Sequence, residues 1–339
     1  MVPLEGLAAL TVLIGLIMYA AFAGADFGGG IWTALASGPR ARSQQVSLFE
    51  AIGPVWETNH VWLVFVVVAL FTAFPLAFAV LFEALLVPIA MALIGIVLRG
   101  AAYAFRHYSL RDPQTMPVTG QVFSVSSMLA PFFLGIAVTA TAADRIRVLA
   151  GQAQAMNLTS WVTPFTIVGG LIGLALCAYL APIYMAVRTQ GALQEDFRGR
   201  GMAAAVALGV LTALELPVAL VDVPLFWQRL VHPLQLGPVG VTVILGVTTL
   251  VLLWKRAYRW AQISAAGTVA GLMTGFAAAL YPDFVIGQLA ITQAAAPETT
   301  LVEFLITLVI GSAILIPSLV FLYWTFGKEY PMTAGRHYG

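Results

Sequence analysis

Nine long apolar runs, each separated from the next by a short polar break, decide what this chain can fold into. A helix crossing the roughly 30 Å hydrocarbon core of a bilayer needs about 20 apolar residues at about 1.5 Å each. Runs of this kind fall near residues 6–34, 50–74, 76–105, 119–142, 161–187, 202–221, 239–254, 260–281 and 302–326. The segments between them are too short to fold alone. The chain is therefore read as one transmembrane domain over 1–339, with approximate halves at 1–142 and 161–281 and a last helix at 302–326. Composition agrees: 60% of the 339 residues are hydrophobic and 9% charged, where a soluble domain carries roughly 25% charged residues. That balance, with a formal charge of +1, excludes a disordered chain and a nucleic-acid-binding domain. The single cysteine, Cys177, excludes an intrachain disulfide. The expected fold is an all-α integral membrane protein with nine transmembrane helices. The first run begins too close to Met1 for the basic leader of a cleaved signal peptide, so it is expected to be retained.

The second run is the short one. Its uninterrupted apolar part, Val61 to Phe74, would give a helix of only about 21 Å. Either the helix extends back through His60, Asn59, Glu57 and Trp56, or the segment is re-entrant. Charge placement separates the two. With nine crossings, 13 of the 16 Lys and Arg, among them Arg40, Arg106, Arg188, Arg200 and Arg256, fall on one side. Only Arg145, Arg147 and Arg229 fall on the other. Without a crossing here the split weakens to 11 against 5. Lys and Arg collect in cytoplasmic loops, so nine crossings fit better, with the N-terminus outside and the C-terminus cytoplasmic. Glu57 and His60 then sit within the membrane.

Ionisable groups at membrane depth are the first candidates for function. Asp26 lies in Gly24-Ala25-Asp26-Phe27-Gly28-Gly29-Gly30 and Glu57 in Pro54-Val55-Trp56-Glu57-Thr58-Asn59-His60-Val61-Trp62. Both are placed near the cytoplasmic end of their spans. Glu57 and His60, three apart, share a helix face. Gly28, Gly29 and Gly30 would let another backbone or an ordered water approach Asp26. Two readings stand. The acids conduct protons, since burial moves a carboxyl group toward its protonated form. Alternatively, Asp26 bonds a neighbouring helix while Glu57 pairs with His60 or an arginine. Glu83, Glu215, Asp222 and Glu303 are weaker candidates, and Arg99 is expected to snorkel to the cytoplasmic surface. The pairs Gly24/Gly28, Gly169/Gly173 and Gly271/Gly275 mark possible close helix contacts.

A haem held in this chain would need axial His, Met or Cys ligands. Of His60, His107, His232 and His337, only His60 falls inside a span. A bis-histidine haem is therefore unsupported, and no metal-binding or catalytic residues are assigned. Any redox centre is expected on another subunit.

The runs Ala25-Asp26-Phe27-Gly28-Gly29-Gly30-Ile31-Trp32 and Ala51-Ile52-Gly53-Pro54-Val55-Trp56-Glu57-Thr58-Asn59-His60-Val61-Trp62-Leu63 resemble the first two helices of subunit II of cytochrome bd-type quinol oxidases. Phe71-Thr72-Ala73-Phe74-Pro75, Leu98-Arg99-Gly100 and Tyr281-Pro282-Asp283 extend the resemblance, as does the Tyr323-Trp324 and Phe326-Gly327 pattern. The resemblance implies two four-helix bundles and a peripheral ninth helix in a bacterial cytoplasmic (inner) membrane. It also implies a haem-bearing partner, subunit I, carrying two haems b and one haem d, and possible small single-helix subunits. The substrates implied are membrane quinol, oxidised outside, and dioxygen, reduced to water with cytoplasmic protons. Glu57 and Asp26 would form the proton path with His60 beside them, and Trp56 and Trp62 would pack at the subunit interface. Some members also hold a structural quinone in this subunit, and lipid would surround the whole. The rival readings are a secondary transporter or ion channel using Asp26 and Glu57 as coupling acids, and a membrane scaffold.

Overall fold

The computed structural model describes residues 3–52, 56–108, 116–149, 151–153 and 158–326. The side chains of residues 52, 56, 57, 106–108, 116, 117, 322–324 and 326 lie outside that description. The first half runs α1 (Leu4–Ala34), α2 (Ala41–Ile52), α3 (Trp56–Ala73), α4 (Pro75–Ala84), α5 (Leu86–Tyr108) and α6 (Met116–Ala140). A small hairpin of β1 (Val148–Leu149) and β2 (Gln152–Ala153) leads to α7 (Pro164–Arg188) and α8 (Gly191–Asp222). Then come α9 (Pro224–Leu230), α10 (Pro233–Trp254) and α11 (Tyr258–Leu280). A second hairpin, β3 (Asp283–Val285) with β4 (Leu289–Ala290), precedes α12 (Ile291–Ala294) and α13 (Glu298–Phe326). The two hairpins are additions to the all-α expectation. Both lie between long helices, where backbone groups leaving a helix must find new partners.

Eight of these helices (α1, α5, α6, α7, α8, α10, α11 and α13) are long and apolar enough to cross a membrane. The chain is a multi-pass membrane protein. At 18 residues, α3 would measure about 27 Å. It follows α1 in the opposite direction instead of turning back. Asn59 faces Asp26, Phe65 and Val66 abut Gly15, and Ala69 and Ala73 share a core with Ala8 and Val12. The Ala73 carbonyl then accepts from Ala296 N–H at 2.9 Å, at the far end of the bundle.

The single third helix expected over 76–105 is instead two, α4 and α5, broken at Leu85. Proline explains both interruptions in this region. Pro75 starts α4 at its first position, where a missing N–H costs nothing. Pro88 cannot donate to the carbonyl of Ala84, and its ring would collide there in a continuous helix. The chain therefore ends α4 and restarts.

Close packing in the centre depends on small residues. A Cβ at Gly28 would fall 2.0 Å from the Cys177 carbonyl oxygen, and one at Gly30 would fall 2.0 Å from Ser127 Oγ. Thus α1 lies almost against the backbone of α7 on one side and against the Ser127 side chain of α6 on the other. At Gly173 the added atom would meet the Pro131 carbonyl at 2.5 Å, whereas Gly275 has open space. Gly28→Ala is expected to destabilise the protein by about 1–3 kcal/mol, since backbone must move to admit the methyl group. Gly209→Ala in α8, where nothing lies within 4 Å, should leave thermal unfolding in detergent unchanged or slightly raised.

A buried polar cluster as the candidate functional site

Asp26 sits on α1 about two turns, roughly 12 Å, before the helix ends at Ala34. It is 6% exposed. Tyr19, Ala23, Asp26, Phe27 and Ile31 recur at helical spacing, so one face of α1 carries an acid in an otherwise apolar core shared with α6 and α7. Three polar side chains from other helices meet it. From α3, Asn59 Nδ2 donates to Asp26 Oδ2. From α5, Arg99 Nη2 donates to the Asp26 backbone carbonyl at 2.9 Å, and Arg99 Nε donates to Ser127 Oγ of α6 at 3.1 Å. Ser127 Oγ in turn donates to the Phe123 carbonyl at 2.6 Å. The guanidinium centre is 5.0 Å from the Phe27 ring and 5.2 Å from the Phe123 ring.

The expected snorkelling of Arg99 does not occur. At 2% exposure it is among the largest fully buried side chains of the molecule. A lone charge in a low-dielectric interior is strongly unfavourable. Here a carboxylate, two hydrogen-bond acceptors and two aromatic faces compensate it. Its position 16 residues after Glu83, deep in an apolar run, was the signal that it needed a partner on another helix. Asn59 was visible within the Trp56–Trp62 motif, but nothing in one sequence paired it with Asp26.

His60 is half-buried on α3, its ring centroid 6.0 Å from both Tyr19 and Phe27. Trp62 is half-buried and meets Phe65 edge-on. Glu57 and Trp56 begin α3 one turn before His60 and Asn59; their side chains lie outside the described residues. Gly28 and Gly30 set the close approaches given above, and the Gly29 carbonyl accepts from Thr33 Oγ1 at 2.8 Å.

The end of the bundle nearest Asp26 is basic and firmly tied. Arg40 Nε donates to Asp196 at 2.7 Å, Gln44 joins the same carboxylate at 2.9 Å, and Arg200 reaches Gln44 at 2.6 Å. Asp196 raises the already high pKa of Arg40 by hydrogen bonding and charge. Trp32 anchors this network to the membrane helices, with Arg200 5.2 Å over its ring and its own Nε1 donating to the Ala178 carbonyl at 2.8 Å.

Of the weaker candidate acids, Asp222 and Glu83 tie down the opposite end. Asp222 accepts from Phe165 N–H at 3.1 Å, stabilising the start of α7, and lies 3.4 Å from Arg145. Glu83 accepts from Ala153 N–H at 3.3 Å, holding β2 to α4, and Glu303 is exposed on α13. Glu215 is half-buried on α8, and its Oε1 has no hydrogen-bond partner among the described residues.

Among the described residues no three His, Cys, Asp or Glu side chains gather as metal ligands. Among the described residues, His60 and His232 are not brought together as a pair of axial haem ligands. The His60 ring is packed against two aromatic rings on the α1 side, and His232 precedes Pro233 at the start of α10, at the other end of the bundle.

A bundle of long apolar helices with a guanidinium and a carboxylate buried inside it defines a polytopic membrane protein. More narrowly, the chain matches the family model described as cytochrome bd terminal oxidase subunit II over residues 4–326, and it belongs to that family. It is 30% identical over 180 residues to the cytochrome bd ubiquinol oxidase subunit 2 of Bacillus subtilis (strain 168), covering 53% of this chain and 52% of that one. It is 24% identical over 212 residues to the cytochrome bd-I ubiquinol oxidase subunit 2 of Escherichia coli (strain K12), covering 60% and 54%. The alignments thus span about half the length of these curated relatives. The fold is shared with a chain of the bd oxidase structure from Geobacillus thermodenitrificans: the TM-score is 0.81 at 21% identity, over 95% of this chain and 98% of the other. The resemblance carried by Ala25–Trp32 and Ala51–Leu63 is borne out at the level of family, and nothing in the comparisons supports the transporter reading.

Proposed function

We propose that this chain is the second subunit of a quinol:dioxygen oxidoreductase of a bacterial respiratory chain, supplying the path by which cytoplasmic protons reach dioxygen on a haem-bearing subunit I. The observation that carries the reading is the sealed Asp26–Asn59–Arg99 cluster, set a few turns inside the basic end of a chain of this family. The topology that serves it has nine crossings, with α3 as the ninth, the N-terminus outside and the basic end cytoplasmic. Two four-helix bundles and the peripheral α13 make up the subunit, and its apolar outer faces meet subunit I and lipid.

When bound in the partner, the haems supply electron transfer from quinol and the reduction of dioxygen. The work of this chain is electrostatic. An electron arriving at a buried site raises its negative charge, which is costly at low dielectric, and a proton arriving with it removes that cost. Glu57, at the start of α3, takes a proton from the cytoplasmic side. Asp26 passes it inward, and Arg99 and Asn59 hold the Asp26 segment in place while the proton moves. His60 stands beside the path, and Trp62 packs toward the partner.

Two outcomes check the proposal. The purified protein is expected to bring with it a haem-containing partner with a d-type band in the red and quinol-dependent oxygen uptake. Isolation as a colourless homo-oligomer would contradict it. In that complex Glu57→Gln, which keeps the shape and removes the acid, should lower turnover at least about tenfold, a conservative bound against the roughly 100- to 10,000-fold that a positioned acid–base group contributes. Parent-level turnover would remove Glu57 from the path.

A further inference from the structure

Tyr19 stands two turns inward of Asp26 on the same face of α1, roughly 10 Å deeper into the bundle and at the middle of that helix. It is 7% exposed, and its hydroxyl has no hydrogen-bond partner among the described residues. Leaving a buried hydroxyl unpaired is costly, and an aromatic core could hold phenylalanine at no such cost. The surroundings are also specific. The His60 ring, contributed by α3, has its centroid 6.0 Å from that of Tyr19, with Phe27, the Asp26–Arg99 pair and the Cys177 thiol in the adjoining core. Among the described residues, His60 and Asp26 lie on the side of that hydroxyl that leads back toward the basic end. Buried groups of this kind are characteristically bridged by internal water.

We infer that the Tyr19 hydroxyl is a further relay member in the proton path, linked through water to His60 and Asp26 and carrying protons from Asp26 toward the centre of the membrane. The inference rests on the reading of Asp26 given above and extends it inward. In each passage the hydroxyl oxygen accepts one proton from a bridging water and releases its own to the next acceptor. Its charge and electron count are unchanged at the end, and no oxidant is involved. Tyr19 acts in this chain as a relay group and takes no part in bond making or breaking at dioxygen.

The test uses the whole complex carrying Tyr19→Phe, Asp26→Asn or both. Tyr19→Phe deletes one oxygen that bonds no described residue, so assembly and the haem spectrum should be retained. Expected is an oxygen-uptake rate at saturating quinol at least about fivefold below the parent, with a solvent isotope effect larger than the parent's in D2O. The double variant should be no slower than Asp26→Asn alone, because members of one series do not add. If Asp26→Asn is slow while Tyr19→Phe keeps the parent rate and isotope effect, Tyr19 is a packing ring and the inference is overturned although the path stands. If both keep the parent rate, the path reading itself fails, and Tyr19 with it. A double variant markedly slower than Asp26→Asn would place Tyr19 outside this path and also overturn the inference.

Discussion

Arg99→Ala is expected to be the most damaging single change in this chain. The substitution removes the bond to the Asp26 carbonyl, the bond to Ser127 and the contacts with the Phe27 and Phe123 rings. It also takes the guanidinium away from beside the buried Asp26. Breaking a buried pair by deleting one partner costs about 3–5 kcal/mol, much of it the penalty on the charge left behind. For a membrane protein of ordinary marginal stability, that is enough to lower the yield of assembled complex about tenfold or more. Arg99→Lys should rescue only part of the loss, since an ammonium cannot span the Asp26 carbonyl and Ser127 as the planar guanidinium does. Adding Asp26→Asn to Arg99→Ala should recover some stability by removing the orphaned charge, an interaction that a double-mutant cycle of thermal unfolding measures. Strictly additive effects would mean that the two groups do not feel each other.

The second large effect falls on rate. Asp26→Asn keeps the size of the side chain and leaves an amide oxygen to accept from Asn59, so the cluster should persist. What disappears is a group able to take up and give back a proton. Quinol-driven oxygen uptake is expected to fall by about 10- to 100-fold, up to the lower bound of the roughly 100- to 10,000-fold typical of acid–base groups, while the haem spectrum of the partner stays unchanged. Asp26→Glu restores the acid on a longer stem and should recover part of the rate. If Asp26→Glu and Asp26→Asn were equally slow, geometry and not protonation would be responsible.

Much of the fold was legible because lipid imposes a simple rule: a crossing helix must be long and apolar throughout. The sequence therefore located the long helices, and it singled out Asp26 as an acid with no business in lipid. Two kinds of information were not legible. One was where a helix breaks inside an apolar run. The 76–105 stretch reads as continuous until Pro88 is weighed against the carbonyl four residues before it. The other was pairing across helices. Arg99 looked close enough to Arg106 to escape to the surface, and only the packing of α5 against α6 and α1 shows its guanidinium turned inward. The glycines near Asp26 pointed to close approach, but not that Gly28 meets the backbone at Cys177 while Gly30 meets Ser127. Such contacts join positions from about 30 to 150 residues apart, and periodicity along a single chain carries no trace of them.

The most direct test of the account is proton uptake itself. The reduced complex is mixed with dioxygen and the disappearance of protons from the bulk is followed with a pH-indicating dye, in the parent and in Asp26→Asn. The account predicts that dioxygen binding is equally fast in both, while proton uptake slows at least about tenfold in the variant. Proton uptake at the parent rate in Asp26→Asn would show that the protons travel by another route and would leave the buried cluster as packing alone.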